Sequence, residues 1–145
     1  MKKIAVVYWS GTGNTQMMAE AIARGARQGG AAVSLMTVDK ATGEELLQAD
    51  AIALGCPAMG NEVLEETEMA PFVESLTENE LSGKLVALFG SYDWGDGQWM
   101  RDWVERVKAQ NARLVGEGLM VHNTPDQAGL DQCVDLGAKL AAATL

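Results

Sequence analysis

Short apolar runs alternate along this chain with longer stretches in which apolar residues recur at helical spacing. The runs are Lys3 to Tyr8, Ala32 to Val38, Asp50 to Gly55, Lys84 to Gly90 and Arg113 to Val121. Three of them are nearly continuous in apolar residues, as expected of strands covered on both faces. Between and after them the spacing predicts helices. The first begins near Asn14, with Met17, Met18, Ala21 and Ile22 on one face and Gly29-Gly30 ending it. Further helices are predicted near Glu44 to Gln48, Thr67 to Leu76, Gln98 to Asn111 and Asp126 to Ala143. Strands that alternate with helices build a parallel sheet, and right-handed crossovers put helices on both of its faces. The expectation is an α/β protein, a doubly wound three-layer sandwich on a five-stranded sheet, as a single domain over residues 1–145. Such sheets bind ligands beyond the carboxyl ends of their strands. The loops after strands one, three and four are therefore where chemistry is expected.

A length of 145 residues suits one domain and leaves no room for a second. The two lysines before the first apolar run resemble the start of a leader, but the run stops at Ser10-Gly11-Thr12-Gly13 and reads as a buried strand. No run is long enough to span a bilayer. The net charge of −9 repels phosphates, which argues against nucleic acid and anionic membranes and favours partner proteins with basic faces. Cys56 and Cys133 lie far apart, and the single histidine, His122, cannot complete a zinc set with them. A reduced, cytoplasmic setting is expected.

The first loop, Ser10-Gly11-Thr12-Gly13-Asn14-Thr15, stands between an apolar strand and an amphipathic helix. Its small residues allow close backbone approach, its hydroxyls and amide offer neutral donors, and the helix start adds free N–H groups at a positive dipole end. A nucleoside triphosphate loop would carry Gly-Lys-Ser/Thr, and a dinucleotide fingerprint would place a third glycine where Gln16 stands. Neither pattern is met. A single phosphate monoester, gripped without a countercharge, fits better; an ordinary helix cap is the plainer alternative. The second loop, Gly55 to Glu62, contains a Gly60-Asn61 pair suited to a turn with positive φ. The third, Gly90 to Gly97, is rich in glycine around Tyr92 and Trp94, aromatics with little core to fill.

The run from Val6 through Ser10-Gly11-Thr12-Gly13-Asn14-Thr15 to Ile22 resembles the phosphate-loop signature of the flavodoxins, and the likeness extends over all three loops. It implies a flavodoxin-like sheet in the order 2-1-3-4-5 and a bound flavin mononucleotide, FMN. Residues Ser10 to Thr15 would hold its phosphate. The segment Pro57, Ala58, Met59, Gly60, Asn61 and Glu62 would border the ring, with Met59 packed on one face, the Gly60 peptide facing flavin N5 and Glu62 accepting from N3–H. In Ser91, Tyr92, Asp93, Trp94 and Gly95, Trp94 would cover the outer face and Tyr92 the pocket edge. The absence of an insertion in the fifth strand makes the chain similar to the short-chain branch. The family often has aspartate where Asn61 stands, so one charge near the flavin is missing. The resemblance implies a monomeric one-electron carrier, not an enzyme. It would cycle mainly between semiquinone and hydroquinone at low potential and donate to redox proteins. The rivals are an NAD(P)H-dependent FMN quinone or flavin reductase on the same fold and a flavin-free phosphate-binding module.

Other residues have plainer readings. Cys56 has no partner nearby in sequence and reads as buried and structural. Trp99, Met100, Trp103, Val104 and Val107 recur at helical spacing and read as core. His122 reads as a polar residue at a strand end. Residues 61–80 hold seven acids (Glu62, Glu65, Glu66, Glu68, Glu74, Glu78, Glu80) and no Lys or Arg, which reads either as a solvated helix face or as a docking surface beside the flavin edge.

Overall fold

A computed structural model describes residues 2–59, 64–76 and 81–144. Its strands are β1 (Lys3–Tyr8), β2 (Ala32–Thr37), β3 (Ala51–Gly55), β4 (Leu85–Tyr92), β5 (Arg113–Leu114) and β6 (Leu119–His122). The helices among the described residues are α1 (Asn14–Gln28), α2 (Gly43–Gln48), α3 (Met69–Ser75), α4 (Gln98–Ala109) and α5 (Gln127–Ala143). All strand pairs are parallel, in the order β2-β1-β3-β4 with β5 and β6 both on the far side of β4. The expected order 2-1-3-4-5 is thus present.

Strand alternation sends side chains to two cores. Ile4, Val6 and Tyr8 of β1 pack with α1 and α5, whereas Ala5 and Val7 pack with α2, α3 and α4. Helix α1 ends as the glycine pair predicts. Gly30 takes φ +94°, and the N–H groups of Gly30 and Ala31 turn back to the carbonyls of Arg27 and Ala26. Asp126 caps α5 by accepting from the Gly129 N–H at 2.8 Å.

Two strand boundaries and one residue of a helix face differ from the sequence reading. The fifth strand is not continuous from Arg113 to Val121. After Leu114 the chain leaves the ladder and returns at Leu119, so Val115–Gly118 stand opposite only Ala87 and Leu88 of β4. Gly116 and Gly118 take φ +82° and +91°, left-handed values that no regular strand contains. Strand β4 runs two residues past Gly90, because β6 pairs with Phe89 to Tyr92, so Ser91 and Tyr92 are strand residues rather than loop. Met17, expected on the buried face of α1, is 38% exposed, while Met18, Ala21 and Ile22 are buried.

Candidate functional site

The carboxyl ends of β1, β3, β4 and β6 bring the predicted loops to one edge of the sheet, around a cleft of about 290 Å³. A larger hollow of about 610 Å³ lies along α1 between Glu20, Arg24 and Arg27, but no loop from the strand ends converges there.

In the first loop, Gly13 is the N-cap of α1 at φ +96°, a conformation that leaves the helix without a side-chain cap. Ser10 Oγ instead accepts from the N–H groups of Gly13 at 3.1 Å and Gln16 at 3.3 Å, and Thr12 Oγ1 accepts from Asn14 N–H at 3.4 Å. Gly11, Thr12 and Asn14 line the cleft, with Gly11 against the Trp9 ring, where a Cβ would come within 3.1 Å. Thr15 is placed differently. It is buried, and its Oγ1 lies 3.0 Å from Ser91 Oγ and accepts from Ser91 N–H at 3.4 Å, so this hydroxyl ties the start of α1 to β4.

The second loop continues the β3–β4 pairing. Cys56 N–H donates to Phe89 O at 3.1 Å and Ala58 N–H to Ser91 O at 3.0 Å, which leaves Pro57, Ala58 and Met59 half-buried along the cleft. Gly60, Asn61 and Glu62 lie outside the described residues. Of the acidic run, Glu66, Glu68 and Glu74 are exposed, and Glu62, Glu78 and Glu80 also lie outside the described residues. Glu65 departs from the expectation of a solvated face, being only 4% exposed. Its carboxylate accepts from the N–H groups of Thr67 (2.7 Å), Glu68 (2.8 Å) and Met69 (3.0 Å) and from the Thr67 hydroxyl, and so opens α3. Burial alone would raise this carboxyl. The Thr67 hydroxyl and the three backbone donors outweigh it and hold Glu65 below the ordinary value of 4.5.

In the third loop Ser91, Tyr92 and Asp93 line the cleft, whereas Trp94, the next residue in the chain, is 58% exposed and not part of the lining. The Tyr92 ring sits 5.9 Å from Trp99 and 5.0 Å from His122 between centroids. Gly95 and Gly97 take φ +92° and +93°, and Arg101 closes the turn through Asp96 Oδ1 and Asp96 O, both at 2.9 Å. His122 Nε2 donates to Asp93 O at 2.9 Å, a bond to a carbonyl that requires the proton on that nitrogen. Two cleft residues were missed from sequence, Trp9 and Asn123. Asn123 sits at φ +57° with its N–H on Tyr92 O at 2.7 Å, and its position between a strand end and Pro125 was the available signal.

Of the expected core residues of α4, Trp99, Met100, Trp103 and Val107 are buried, and Val104 is partly buried against them. Cys56 and Cys133 are free and buried, and burial first of all pushes each thiol up to about 12. Among the described residues no cluster of His, Cys, Asp or Glu could hold a metal ion, and no helix is long and apolar enough to cross a membrane.

The donor set around the start of α1 is neutral, with hydroxyls, an amide and helix N–H groups and no Lys or Arg in residues 9–15. That suits a phosphate monoester held by dipoles, and the half-buried Pro57–Met59 segment with Trp9 and Tyr92 of the cleft lining suits a flat apolar ring. Fold and site together define a doubly wound α/β protein that binds a mononucleotide beyond the ends of its strands. The sequence pattern of the Flavodoxin family matches residues 6–137. The chain is 51% identical over 136 residues to a flavodoxin of Clostridium beijerinckii, covering 94% of this chain and 97% of that protein. Against a flavodoxin of Megasphaera elsdenii it is 41% identical over 140 residues, covering 97% and 99%. The solution structure of the two-electron reduced Megasphaera elsdenii flavodoxin superimposes with a TM-score of 0.87 at 40% identity, covering 96% of this chain and 98% of that one. The chain belongs to the flavodoxin family: an electron carrier rather than an enzyme, whose cofactor is FMN.

Proposed function

We propose that this chain is a low-potential one-electron carrier whose FMN phosphate is held by Ser10, Gly11, Thr12, Gly13, Asn14 and Thr15. Its ring would lie between Pro57, Ala58, Met59, Gly60, Asn61 and Glu62 on one side and Ser91, Tyr92, Asp93, Trp94 and Gly95 on the other. The observation that carries this reading is the neutral first loop at the start of α1, with the two other loops facing it across one cleft. FMN supplies the capacity to take and give electrons one at a time; the side chains bind it, orient it and exclude water. A net charge of −9 disfavours adding negative charge to a group bound in this cleft, which lowers the potential of the second electron. The exposed Glu66, Glu68 and Glu74 would meet a redox partner with a basic face, and the chain would act as a monomer.

Binding of FMN and riboflavin to the apoprotein, with and without Thr12→Ala, tests the placement of the phosphate. Loss of the Thr12 hydroxyl should weaken FMN by about 1 to 3 kcal/mol and riboflavin far less. Equal losses for both would overturn it. Stepwise reductive titration should resolve two one-electron couples, the lower one strongly reducing; a single two-electron step would defeat the carrier reading.

A further inference from the structure

Cys56, at the carboxyl end of β3, is fully buried, and its backbone is fixed from the neighbouring elements. Its N–H donates to Phe89 O, and its carbonyl accepts from Trp99 Nε1 at 3.1 Å. The facing residue is Gly90, where a Cβ would stand 2.1 Å from that carbonyl. The thiol then makes two hydrogen bonds of opposite sense. Its S–H donates to Pro57 O at 3.4 Å, and Sγ accepts from Glu65 N–H at 3.3 Å. Pro57 is on the limb that leaves the sheet, and Glu65, nine positions beyond Cys56, is on the limb that returns to it. Glu65 is itself locked to the first turn of α3 through its buried carboxylate. A chain of contacts therefore runs from the end of β3, through one sulfur, to the start of α3, and it ties Pro57 of the cleft lining to Glu65.

The geometry points to Cys56 and Glu65 as positioning residues that fix where Pro57, Ala58 and Met59 line the cleft, and so set the FMN affinity and the gap between the two one-electron potentials. This rests on the proposed placement of the ring against Pro57, Ala58 and Met59. A neutral thiol suits the task because it donates and accepts at once in an apolar setting, and burial keeps it protonated. Redox chemistry of the thiol is not involved. Cys133 packs in the core on the opposite face of the sheet, so the two sulfurs cannot meet within the folded chain.

The test compares Cys56→Ser, which keeps a donor and an acceptor, with Cys56→Val and Cys56→Ala, which keep neither. The readouts are FMN dissociation constants of the apoprotein, both midpoint potentials, and amide exchange at Glu65, Thr67, Glu68 and Met69. Cys56→Val and Cys56→Ala should weaken FMN about tenfold and speed exchange at Glu65. The gap between the potentials should move by about 59 mV for a tenfold loss confined to the oxidised or the fully reduced state, and by about twice that for one confined to the half-reduced state, which enters both couples. Cys56→Ser should restore affinity and potentials to near the wild-type values. If folded Cys56→Ala, or folded Cys56→Val, keeps wild-type FMN affinity and both potentials, the thiol only fills space and the inference is overturned. Serine failing to restore what alanine loses overturns it equally. Wild-type protein that does not bind FMN would instead defeat the functional reading on which the inference rests.

Discussion

The two faces of the sheet are packed by opposite means. On the α1/α5 face small residues dominate: Ala19, Ala21, Ala23, Ala26, Ala53, Ala87 and Ala141 are buried, and the helices meet backbone to backbone. A Cβ on Gly25 would lie 1.9 Å from Val134 O, and one on Gly137 would lie 2.0 Å from Ile22 O. On the α2/α3/α4 face bulk dominates, with Trp99, Trp103, Leu46, Leu54, Met69 and Leu81 buried. The difference is carried into the site. The first loop is aimed by the rigid seating of α1, whose backbone has no freedom to shift against α5. The second and third loops are held by side-chain reach, as where Trp99 grips the Cys56 carbonyl from α4. The first-loop end of the cleft is thus set mainly by the fit of α1 on α5, with the Thr15–Ser91 hydroxyl pair, and the other end mainly by hydrogen bonds to β4 and α4.

The contrast can be broken most severely at the close helix contact. Gly137→Ala should destabilise by about 3 kcal/mol in urea unfolding, even after alanine's ~1 kcal/mol of helix propensity, because the clash is with a backbone carbonyl. A variant as stable as wild type would mean that the helices separate without cost. On the other face Trp99→Phe should cost about 2 kcal/mol, since it leaves the buried Cys56 carbonyl unpaired. Trp103→Phe should cost about 1 kcal/mol less than Trp99→Phe, because both lose the same indole volume whereas the buried Trp103 Nε1 has no partner among the described residues. Equal costs in thermal unfolding would show that packing alone governs this face.

Glu65 sharpens the comparison through pH. Its folded value is depressed, so its contribution to stability is complete above the ordinary 4.5 and is lost as pH falls below that through the folded value. Glu65→Gln should be less stable by about 1.5 kcal/mol at neutral pH, and the gap from wild type should close in acid. A gap that is constant with pH would mean the carboxylate charge is not what the α3 donors require. A similarly small effect is expected where the faces join at the site. Thr15→Val should cost about 1 kcal/mol through loss of the hydroxyl pair with Ser91, and a double-mutant cycle with Ser91→Ala should show the two to be coupled. Additive losses would dissolve that link.

Much of this was legible in the residues. The strand and helix alternation is a local pattern of period, and the loop Ser10 to Thr15 announces its chemistry by what it contains and by the cations it lacks. What misled was local pattern that tertiary contacts override. Val115-Gly116-Glu117-Gly118 lies inside an apolar run and reads as strand, yet its glycines take left-handed φ and the ladder breaks there. Glu65 looks like one more acid in an acidic run, and only the approach of α3 gives its carboxylate enough donors to be buried.

The sequence by itself determined the class of fold, the edge of the sheet where the predicted loops gather and the neutral character of the first loop, because periodicity, turn chemistry and charge are properties of neighbouring residues. Only the tertiary structure decided that Thr15 faces Ser91, that Cys56 joins two limbs of one loop and that Gly25 and Gly137 let two helices touch. Each of these depends on groups distant along the chain meeting within a few ångströms, and no pattern of neighbours encodes that distance.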